Sequence, residues 1–357
     1  MKTIVYKISE TDETVWLKAA GDVLAAGGLV GIPTETVYGL AANALDAEAA
    51  AKIYAAKGRP SDNPLIVHIS DISMLDGLVT EIPDTAQKLA ETFWPGPLTM
   101  IFPKKDVVPY GTTGGLDTVA VRMPSHPVAR KLIGATGIVL AAPSANTSGR
   151  PSPTRAEHVY EDLNGKIDMI LDDGPVGIGI ESTVVDMTGS VPMILRPGYI
   201  TREMMEAVVG EVRVDPAILG ENRDKNFQPK APGMKYKHYA PKGDLTLVSG
   251  PDEKVVKKIQ ELASEKLAAG FRVGIIATEE TKALYETMVQ GNSRLVVMSI
   301  GTRKDEDTII HNLFDVLRRM DGEEVSYIYS ESFEEGSRGK AIMNRMLKAA
   351  GHQQIYV

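Results

Sequence analysis

The sequence contains no cysteine in its 357 residues. This absence excludes disulfides, thiolate zinc sites, iron–sulfur clusters held by thiolates and any cysteine nucleophile. The six histidines are scattered singly along the chain, and the zinc motif H-E-x-x-H does not occur. The sequence therefore predicts no metal site built from protein side chains.

Long apolar runs are also missing. No segment reaches the roughly 18 uninterrupted apolar residues that a membrane helix needs, and the first residues lack the apolar core of a secretory signal. We therefore expect a cytoplasmic protein with no membrane partner.

The common phosphate and hydrolase signatures are absent as well: there is no Walker A sequence, no G-x-G-x-x-G and no G-x-S-x-G. A formal net charge of −8 disfavours the broad basic face that would neutralise many phosphates of a nucleic acid. Local basic clusters are still compatible with this balance, and they would suit a small polyanion such as a nucleotide.

The length favours two domains. Over residues 1–210, short apolar runs bounded by proline or glycine outnumber the helical patterns, which predicts a large mixed sheet with helices packed on it. The predicted strands cover residues 3–8, 29–33, 65–69, 98–102, 119–123, 138–142, 169–171, 183–187 and 193–195. The predicted helices cover residues 16–24, 47–56, 85–93, 127–133, 155–163 and 202–209.

The second half has a different pattern. Residues 211–242 are charged, punctuated by proline and glycine, and end in PGMKYKHYAP, so they read as a flexible linker. The aromatic residues of this motif indicate either a segment that docks or packing between the domains. From residue 243 to 357, strands alternate with helices near 252–269, 279–290, 304–320 and 339–350, which predicts a smaller Rossmann-like domain with a parallel sheet.

Two loops carry clusters of cations and polar groups. KGRPSDNPLIVHI, residues 57–69, joins the predicted helix 47–56 to an apolar strand; its cations fit either an anion site or a helix end that faces solvent. LAAPSANTSGRPSPT, residues 140–154, follows another strand and concentrates hydroxyl groups and backbone N–H donors, as anion-binding loops do. A plain polar turn remains the alternative for that second loop.

Arginines within strands give a further signal. Arg122 lies in the strand pattern TVAVR, Arg196 ends the strand ILR, and Ser182 stands at the entrance of the strand STVVD. A buried arginine must pair, reach the surface or bind an anion. A structural ion pair and a site role are therefore both open for these arginines.

Taken together, these motifs resemble the YrdC-type threonylcarbamoyl-AMP synthase family. The resemblance rests on PTETVYGLA, KGRPSDNPLIVHI, FWPGPLT, VAVRMPSHP, APSANTSGRPSPT, ESTVVD, ILRPG and PGMKYKHYAP, which occur in order over nearly the whole chain. It implies an α/β fold: an N-terminal twisted mixed sheet, a flexible linker and a smaller Rossmann-like C-terminal domain. It also implies a nucleotidyltransferase that condenses L-threonine, bicarbonate and ATP into threonylcarbamoyl-AMP and pyrophosphate.

The resemblance implies catalytic and binding roles for the residues of this sequence that match the family's motifs. It implies a catalytic set of Lys57, Arg59, Ser144 and Asn146. It implies that L-threonine is bound by Thr36, His68, Arg122, Ala142 and Ser182. It implies that ATP is bound by Arg59, Asn63, Thr118, Ser144, Ser152, Arg196 and Tyr239, with Tyr239 closing over the nucleotide.

The implied cofactor is Mg²⁺ bound with ATP, held largely by phosphates and water. The product would pass to the machinery that modifies tRNA beside the anticodon, with weak or no direct tRNA binding by this chain, which we expect to be a monomer. One alternative is the carbamoyl-adenylate chemistry of hydrogenase maturation, which the lack of cysteine and the length disfavour. Another is a nucleic-acid-binding module, which the acidic balance disfavours.

Overall fold

The computed structural model describes residues 2–218, 238–288, 292–333, 336 and 338–357. The chain divides into two compact units. The first comprises Met1–Ser148 and Ser152–Tyr236, and the second comprises Gly149–Pro151 and Lys237–Val357. Among the described residues, no helix combines the length and the apolar character needed to cross a bilayer.

One mixed sheet organises the first unit. Its strands are β1 (Ile4–Lys7), β2 (Val30–Ile32), β3 (Gly39–Asn43), β4 (Ile66–His68), β5 (Leu98–Pro103), β6 (Thr118–Arg122), β7 (Leu140–Ala141), β8 (Met169–Asp172), β9 (Thr183–Asp186), β10 (Met193–Arg196) and β11 (Arg213–Val214). Their order is β1-β8-β2-β3-β7-β4-β6-β5-β9-β10-β11. Strands β4 and β6 are parallel, whereas β7 runs antiparallel to β4 and β5 antiparallel to β6.

Helices connect and cover this sheet. They are α1 (Glu13–Ala25), α2 (Ala47–Lys57), α3 (Asp84–Phe93), α4 (Tyr110–Thr113), α5 (Pro127–Thr136), α6 (Ala156–Leu163) and α7 (Arg202–Val209). Helix α2 has the ends that its sequence predicts. The Asp46 side chain accepts from two N–H groups of the first turn, and Gly58 ends the helix in the left-handed conformation at φ 60°.

Both faces of the first sheet are buried. Along β3, Leu40 and Ala42 belong to one hydrophobic cluster. Ala41, which lies between them, belongs to a second cluster that contains Trp16 of α1 and Leu132 of α5. Successive strand residues point to opposite faces, so helices pack on both faces at β3. Across β4, β6, β5, β9 and β10, one face carries a smaller cluster of strand residues only, Ile66, Ile101, Ala120, Val184 and Leu195, and His68 and Arg122 lie on this same face.

The second unit has a parallel sheet, as its alternating pattern predicts. Its strands are β12 (Asp244–Ser249), β13 (Val273–Ala277), β14 (Leu295–Ser299), β15 (Tyr327–Glu331) and β16 (Gln354–Tyr356), in the order β14-β13-β15-β12-β16. Every one of its recorded strand pairs is parallel. Its helices are α8 (Asp252–Ala268), α9 (Lys282–Glu286), α10 (Glu306–Gly322) and α11 (Gly339–Ala349).

The predicted fold class is confirmed: a mixed α/β first domain and a parallel α/β second domain. Strand β3 was not predicted, and β11 continues the first sheet beyond residue 210 by pairing with β10. Helix α9 ends at Glu286, earlier than the pattern indicates, and residues 289–290 of the predicted helix lie outside the described residues. Residues 219–237 of the predicted linker, including Met234 and Tyr236, also lie outside them.

Candidate active site

Arg122 is the last residue of β6 and is almost fully buried, with a relative exposure of 4%. Its Nε donates to the Gly96 carbonyl at 3.2 Å, and its Nη1 donates to the Thr36 hydroxyl at 2.9 Å. Its Nη2 lies 2.7 Å from a carboxylate oxygen of Glu35. Three segments that are distant in sequence therefore converge on one guanidinium.

His68 ends β4 directly beside Arg122, because the two residues are register partners in the parallel β4–β6 pair. The ring is buried, and its Nδ1 lies 3.1 Å from the Ile66 carbonyl. Burial, reinforced by the positive charge of Arg122, lowers the pKa of His68 to about 3. His68 is thus a neutral hydrogen-bonding group at physiological pH.

This shift predicts a pH dependence of stability. The pKa of His68 falls from 6.5 to about 3 on folding, so between these values the unfolded chain binds the proton more tightly. Stability should therefore decrease as the pH falls through this window, by about 1.4 kcal/mol per pH unit from this residue. His68→Gln should remove that contribution and flatten the profile.

Urea unfolding at several pH values, followed by tryptophan fluorescence, measures this effect. The chain has two tryptophans, and both, Trp16 and Trp94, are buried in the first unit, so the signal reports that unit alone. An unchanged slope between pH 4 and 6 in the variant would contradict a buried neutral His68.

Ser182 and Arg196 form a second convergence. The Arg196 guanidinium donates to the Ser182 carbonyl at 3.1 Å from Nε and 2.9 Å from Nη2, and Nη2 also lies 3.2 Å from the Ser182 hydroxyl. That hydroxyl is 2.7 Å from Thr99 Oγ1. Thr99 is in turn the register partner of Arg122 across β5 and β6, so strand β5 separates the Ser182–Arg196 pair from the Arg122 cluster.

Lys57 fastens the two polar loops together. It is 2% exposed, and its ammonium donates to the carbonyl oxygens of Ser144 and Asn146 and lies 3.4 Å from Asn146 Oδ1. The Ser144 hydroxyl donates to the same Oδ1 at 2.6 Å. The predicted catalytic residues Lys57, Ser144 and Asn146 are therefore one hydrogen-bonded cluster.

Arg59 and Asn63 belong to a tight turn that follows α2. Arg59 Nε donates to the Asn63 carbonyl at 3.2 Å and Nη2 donates to the Pro64 carbonyl at 3.0 Å. Asn63 is 2% exposed, and among the described residues none makes a hydrogen bond to its Oδ1. Thr118 starts β6 and is half-buried; continuing the Ile66–Ala120 register of β4 and β6 sets Pro64 opposite it.

The other predicted residues are placed as follows. Ala142 follows β7 and donates its N–H to the Ile66 carbonyl at 2.9 Å. Ser152 is fully buried and donates to Glu181 at 2.5 Å. Tyr239 belongs to the second unit, is buried at a positive φ of 66°, and packs on Phe314 with ring centroids 5.1 Å apart. Its role towards a nucleotide stays a prediction.

The two ends of β4 and β6 carry different groups. His68 and Arg122 lie at the carboxyl ends, and Thr36 contacts the Arg122 side chain. Arg59, Asn63 and Thr118 lie towards the amino ends, about 13 Å away at roughly 3.3 Å per residue. The chain leaving β7 runs towards the same amino ends, because β7 and β4 are antiparallel, and it delivers Ser144 and Asn146 there.

Some polar residues at this site were given no role by the sequence. They are Glu35, Thr99 and Glu181, each in contact with a predicted residue. Glu35 and Glu181 stand next to predicted residues in the quoted motifs, so their position was visible, but the partner of each side chain was not. Among the described residues there is no group of three or more histidine, aspartate or glutamate side chains arranged to hold a metal ion.

The fold and the site together define an α/β enzyme in which buried cations, hydroxyl groups and amides converge, as the binding of anionic substrates requires. Comparison with known proteins then identifies the family. The Sua5/YciO/YrdC family model, described as "Telomere recombination", matches residues 22–198. The model described as "Threonylcarbamoyl-AMP synthase, C-terminal domain" matches residues 200–351.

Full-length relatives agree with both matches. The chain is 48% identical over 355 residues to the threonylcarbamoyl-AMP synthase of Pyrococcus abyssi, covering 99% of this chain and 100% of the relative. It is 47% identical over 360 residues to the Bacillus subtilis protein of the same name, with the same coverage. The crystal structure of P. abyssi Sua5 complexed with L-threonine matches with a TM-score of 0.90 and 46% identity, covering 100% of both chains.

The chain belongs to the threonylcarbamoyl-AMP synthase family, in the form that carries both domains. This is a family of ATP-using enzymes that form an AMP-linked product, and the prediction of a nucleotidyltransferase of this type is confirmed.

Proposed function

We propose that this chain condenses L-threonine, bicarbonate and ATP into threonylcarbamoyl-AMP and pyrophosphate. The observation that carries the proposal is the separation of two polar groups along β4 and β6. The Arg122 cluster suits an amino acid, and the loops around Lys57 and Arg59 suit a nucleotide.

The amino-acid end has the chemistry that threonine requires. Arg122 offers a planar fork of donors, which is the geometry that a carboxylate accepts best. Thr36 and the neutral His68 add short-range hydrogen bonds for a hydroxyl or an amine, with Ser182 on the far side of β5 and the backbone of Ala142 opposite Ile66 of β4. The P. abyssi relative was crystallised as a complex with L-threonine, which supports this assignment.

The other end suits ATP. Arg59, Asn63, Thr118 and Ser144 supply a cation, an amide and hydroxyl groups there. Arg196 and Ser152, which contact Ser182 and Glu181, would reach ATP from the side of the Arg122 cluster. Phosphoryl transfer is catalysed mainly by positioning and by stabilising charge on phosphoryl oxygens, and these residue types supply both. ATP would enter as its Mg²⁺ complex, in which phosphates and water hold most of the coordination sphere.

The reaction then proceeds in two steps, carbamate formation and transfer of the AMP group to the carbamate. The threonine amine, after losing a proton, attacks carbon dioxide derived from bicarbonate; a C–N bond forms and a carbamate results, with water released. A carbamate oxygen attacks the α-phosphorus of ATP, the bond to the bridging oxygen breaks, and pyrophosphate leaves. The protein's contribution is to hold the carbamate and the α-phosphate in line.

We propose that the product passes to the tRNA threonylcarbamoyl transfer machinery and that the chain acts as a monomer with weak or no tRNA affinity of its own. Its acidic balance, with a net charge of −8, supports the weak tRNA affinity. A salt titration tests this point: steep salt dependence of tight tRNA binding would contradict it.

Pyrophosphate release tests the main proposal. Purified protein with Mg²⁺, ATP, L-threonine and bicarbonate should release pyrophosphate, and omission of threonine or of bicarbonate should each reduce the rate to background. L-Alanine in place of threonine serves as a matched control. Release that does not depend on either substrate would overturn the assignment.

A further inference from the structure

Glu35 lies in the loop between β2 and β3, directly before Thr36, and none of the roles described above uses it. One carboxylate oxygen lies 2.7 Å from Arg122 Nη2, and both side chains are shielded, with relative exposures of 12% for Glu35 and 5% for Arg122. A carboxylate this close to the arginine proposed to bind a substrate carboxylate needs a reason. It would otherwise compete for the same cation.

The contacts of Arg122 show that Glu35 is not required to orient it. Gly96 and Thr36 already accept from Nε and Nη1 with hydrogen-bond geometry. Nη2 approaches Glu35 as an ion pair but makes no hydrogen bond to a residue that the structure describes. The arginine therefore keeps donors for a ligand while Glu35 stays beside it.

Glu35 likewise keeps its acceptors. Both carboxylate oxygens are buried, and neither receives a hydrogen bond of good geometry from a described residue, so each has acceptor capacity left. Burial would raise the pKa of Glu35, but the charge of Arg122 and the nearby N–H groups of Glu35 and Ser125 outweigh burial and lower it. A buried, ionised carboxylate with unused acceptors is costly unless a donor arrives.

Arg122 and Glu35 are the charged side chains in direct contact here. His68 is neutral at physiological pH, and burial lowers the pKa of His126, whose ring faces Asp173 at 3.5 Å. Arg122 and Glu35 thus form a charge pair of opposite sign to the two charges of an α-amino acid. In such a ligand the carboxylate and the ammonium group are attached to one carbon.

We propose that Glu35 accepts hydrogen bonds from the ammonium group of the amino acid whose carboxylate Arg122 binds. The pair would then select α-amino acids over α-hydroxy acids of the same shape. This inference rests on the proposed function and names a residue for substrate selection in it. A neutral amide at this position would keep the shape of the side chain and remove the attraction for the ammonium group.

The test compares two ligands by calorimetry on the full-length chain: L-threonine, and 2,3-dihydroxybutyrate, in which a hydroxyl replaces the ammonium group. The wild-type protein should bind threonine more tightly. Glu35→Gln should weaken threonine binding by about 10- to 100-fold, the loss expected for a hydrogen bond to a charged group, and leave the affinity for the dihydroxy acid unchanged. Glu35→Asp should retain part of the preference for threonine.

Two controls separate this role from an effect through Arg122. Arg122→Lys should weaken both ligands, because both carry the carboxylate, and Asp173→Asn should change neither affinity. If Glu35→Gln weakens both ligands equally, or weakens neither, the inference is overturned. If the wild-type protein does not bind threonine at all, that result contradicts the proposed function itself, and the inference about Glu35 is then rejected as well.

Discussion

Replacing Arg122 with methionine is expected to abolish threonine-dependent pyrophosphate release and to destabilise the first unit. The activity loss should be about 10²- to 10³-fold, because removing one partner of a buried, charged contact with a ligand costs roughly 2–5 kcal/mol. The stability loss has a separate cause. Glu35 would keep a buried charge with no cation beside it, which costs about 3–5 kcal/mol.

The double variant Arg122→Met with Glu35→Gln separates the two effects. Removing both charges should restore most of the lost stability, since no unpaired charge remains, while activity stays lost. Urea unfolding followed by the fluorescence of Trp16 and Trp94 measures the first, and pyrophosphate release measures the second. A single variant as stable as the wild type would show that Glu35 is not ionised beside Arg122.

The nucleotide affinity provides the internal control for the same variants. Arg122 lies at the carboxyl end of β6 with Glu35 beside it, and four of the residues proposed to contact ATP, Arg59, Asn63, Thr118 and Ser144, lie towards the amino ends of β4 and β6. The single and double variants should therefore bind ATP within about twofold of the wild type. A large loss of ATP affinity would mean that the two groups of residues do not act as separate subsites.

Local features of the fold could be predicted because their causes are local. Asp46 and Gly58 bound α2 through an N-cap and a left-handed C-cap, and Pro127 and Thr201 stand at the starts of α5 and α7. Strand β3, with the sequence GLAAN, escaped prediction because its small residues carry no alternating pattern. Its strand identity comes from pairing with β2 and β7.

The residues of the site could be selected from the sequence, but their connections could not. Lys57 contacts carbonyl groups 87 and 89 positions further along the chain, and no local pattern encodes such a contact. From the sequence alone, its charge fits a lysine at the solvent-exposed end of a helix as well as one that binds a phosphate. Glu35 in PTETVYGLA was given no role for the same reason: only the folded sheet brings its partner Arg122 next to it.

The second large effect is expected at Lys57. Replacing it with methionine keeps an unbranched side chain one atom shorter but removes the ammonium that holds the Ser144 and Asn146 carbonyls. Each carbonyl left without a donor costs about 1–3 kcal/mol, and the loop should shift to find other partners. Turnover should fall by about 10²-fold or more, since a displacement of about 1 Å at a reacting group is enough for that loss.

Lys52→Met is the matched control for this prediction. Lys52 lies on the same helix and also donates to a backbone carbonyl, that of Gly27 at 2.6 Å, but it faces away from the site loops. Its loss should leave turnover near the wild-type rate.

Chemical rescue then decides how Lys57 acts. In Lys57→Ala, an added alkylammonium ion can refill the space left by the side chain and donate to the same carbonyls, so part of the rate should return. If Lys57→Met turns over like the wild type, the hydrogen bonds from Lys57 to the Ser144 and Asn146 carbonyls are not needed for activity. If alkylammonium restores nothing while the protein stays folded, the covalent attachment of the cation to α2 is what sets the position of the loop.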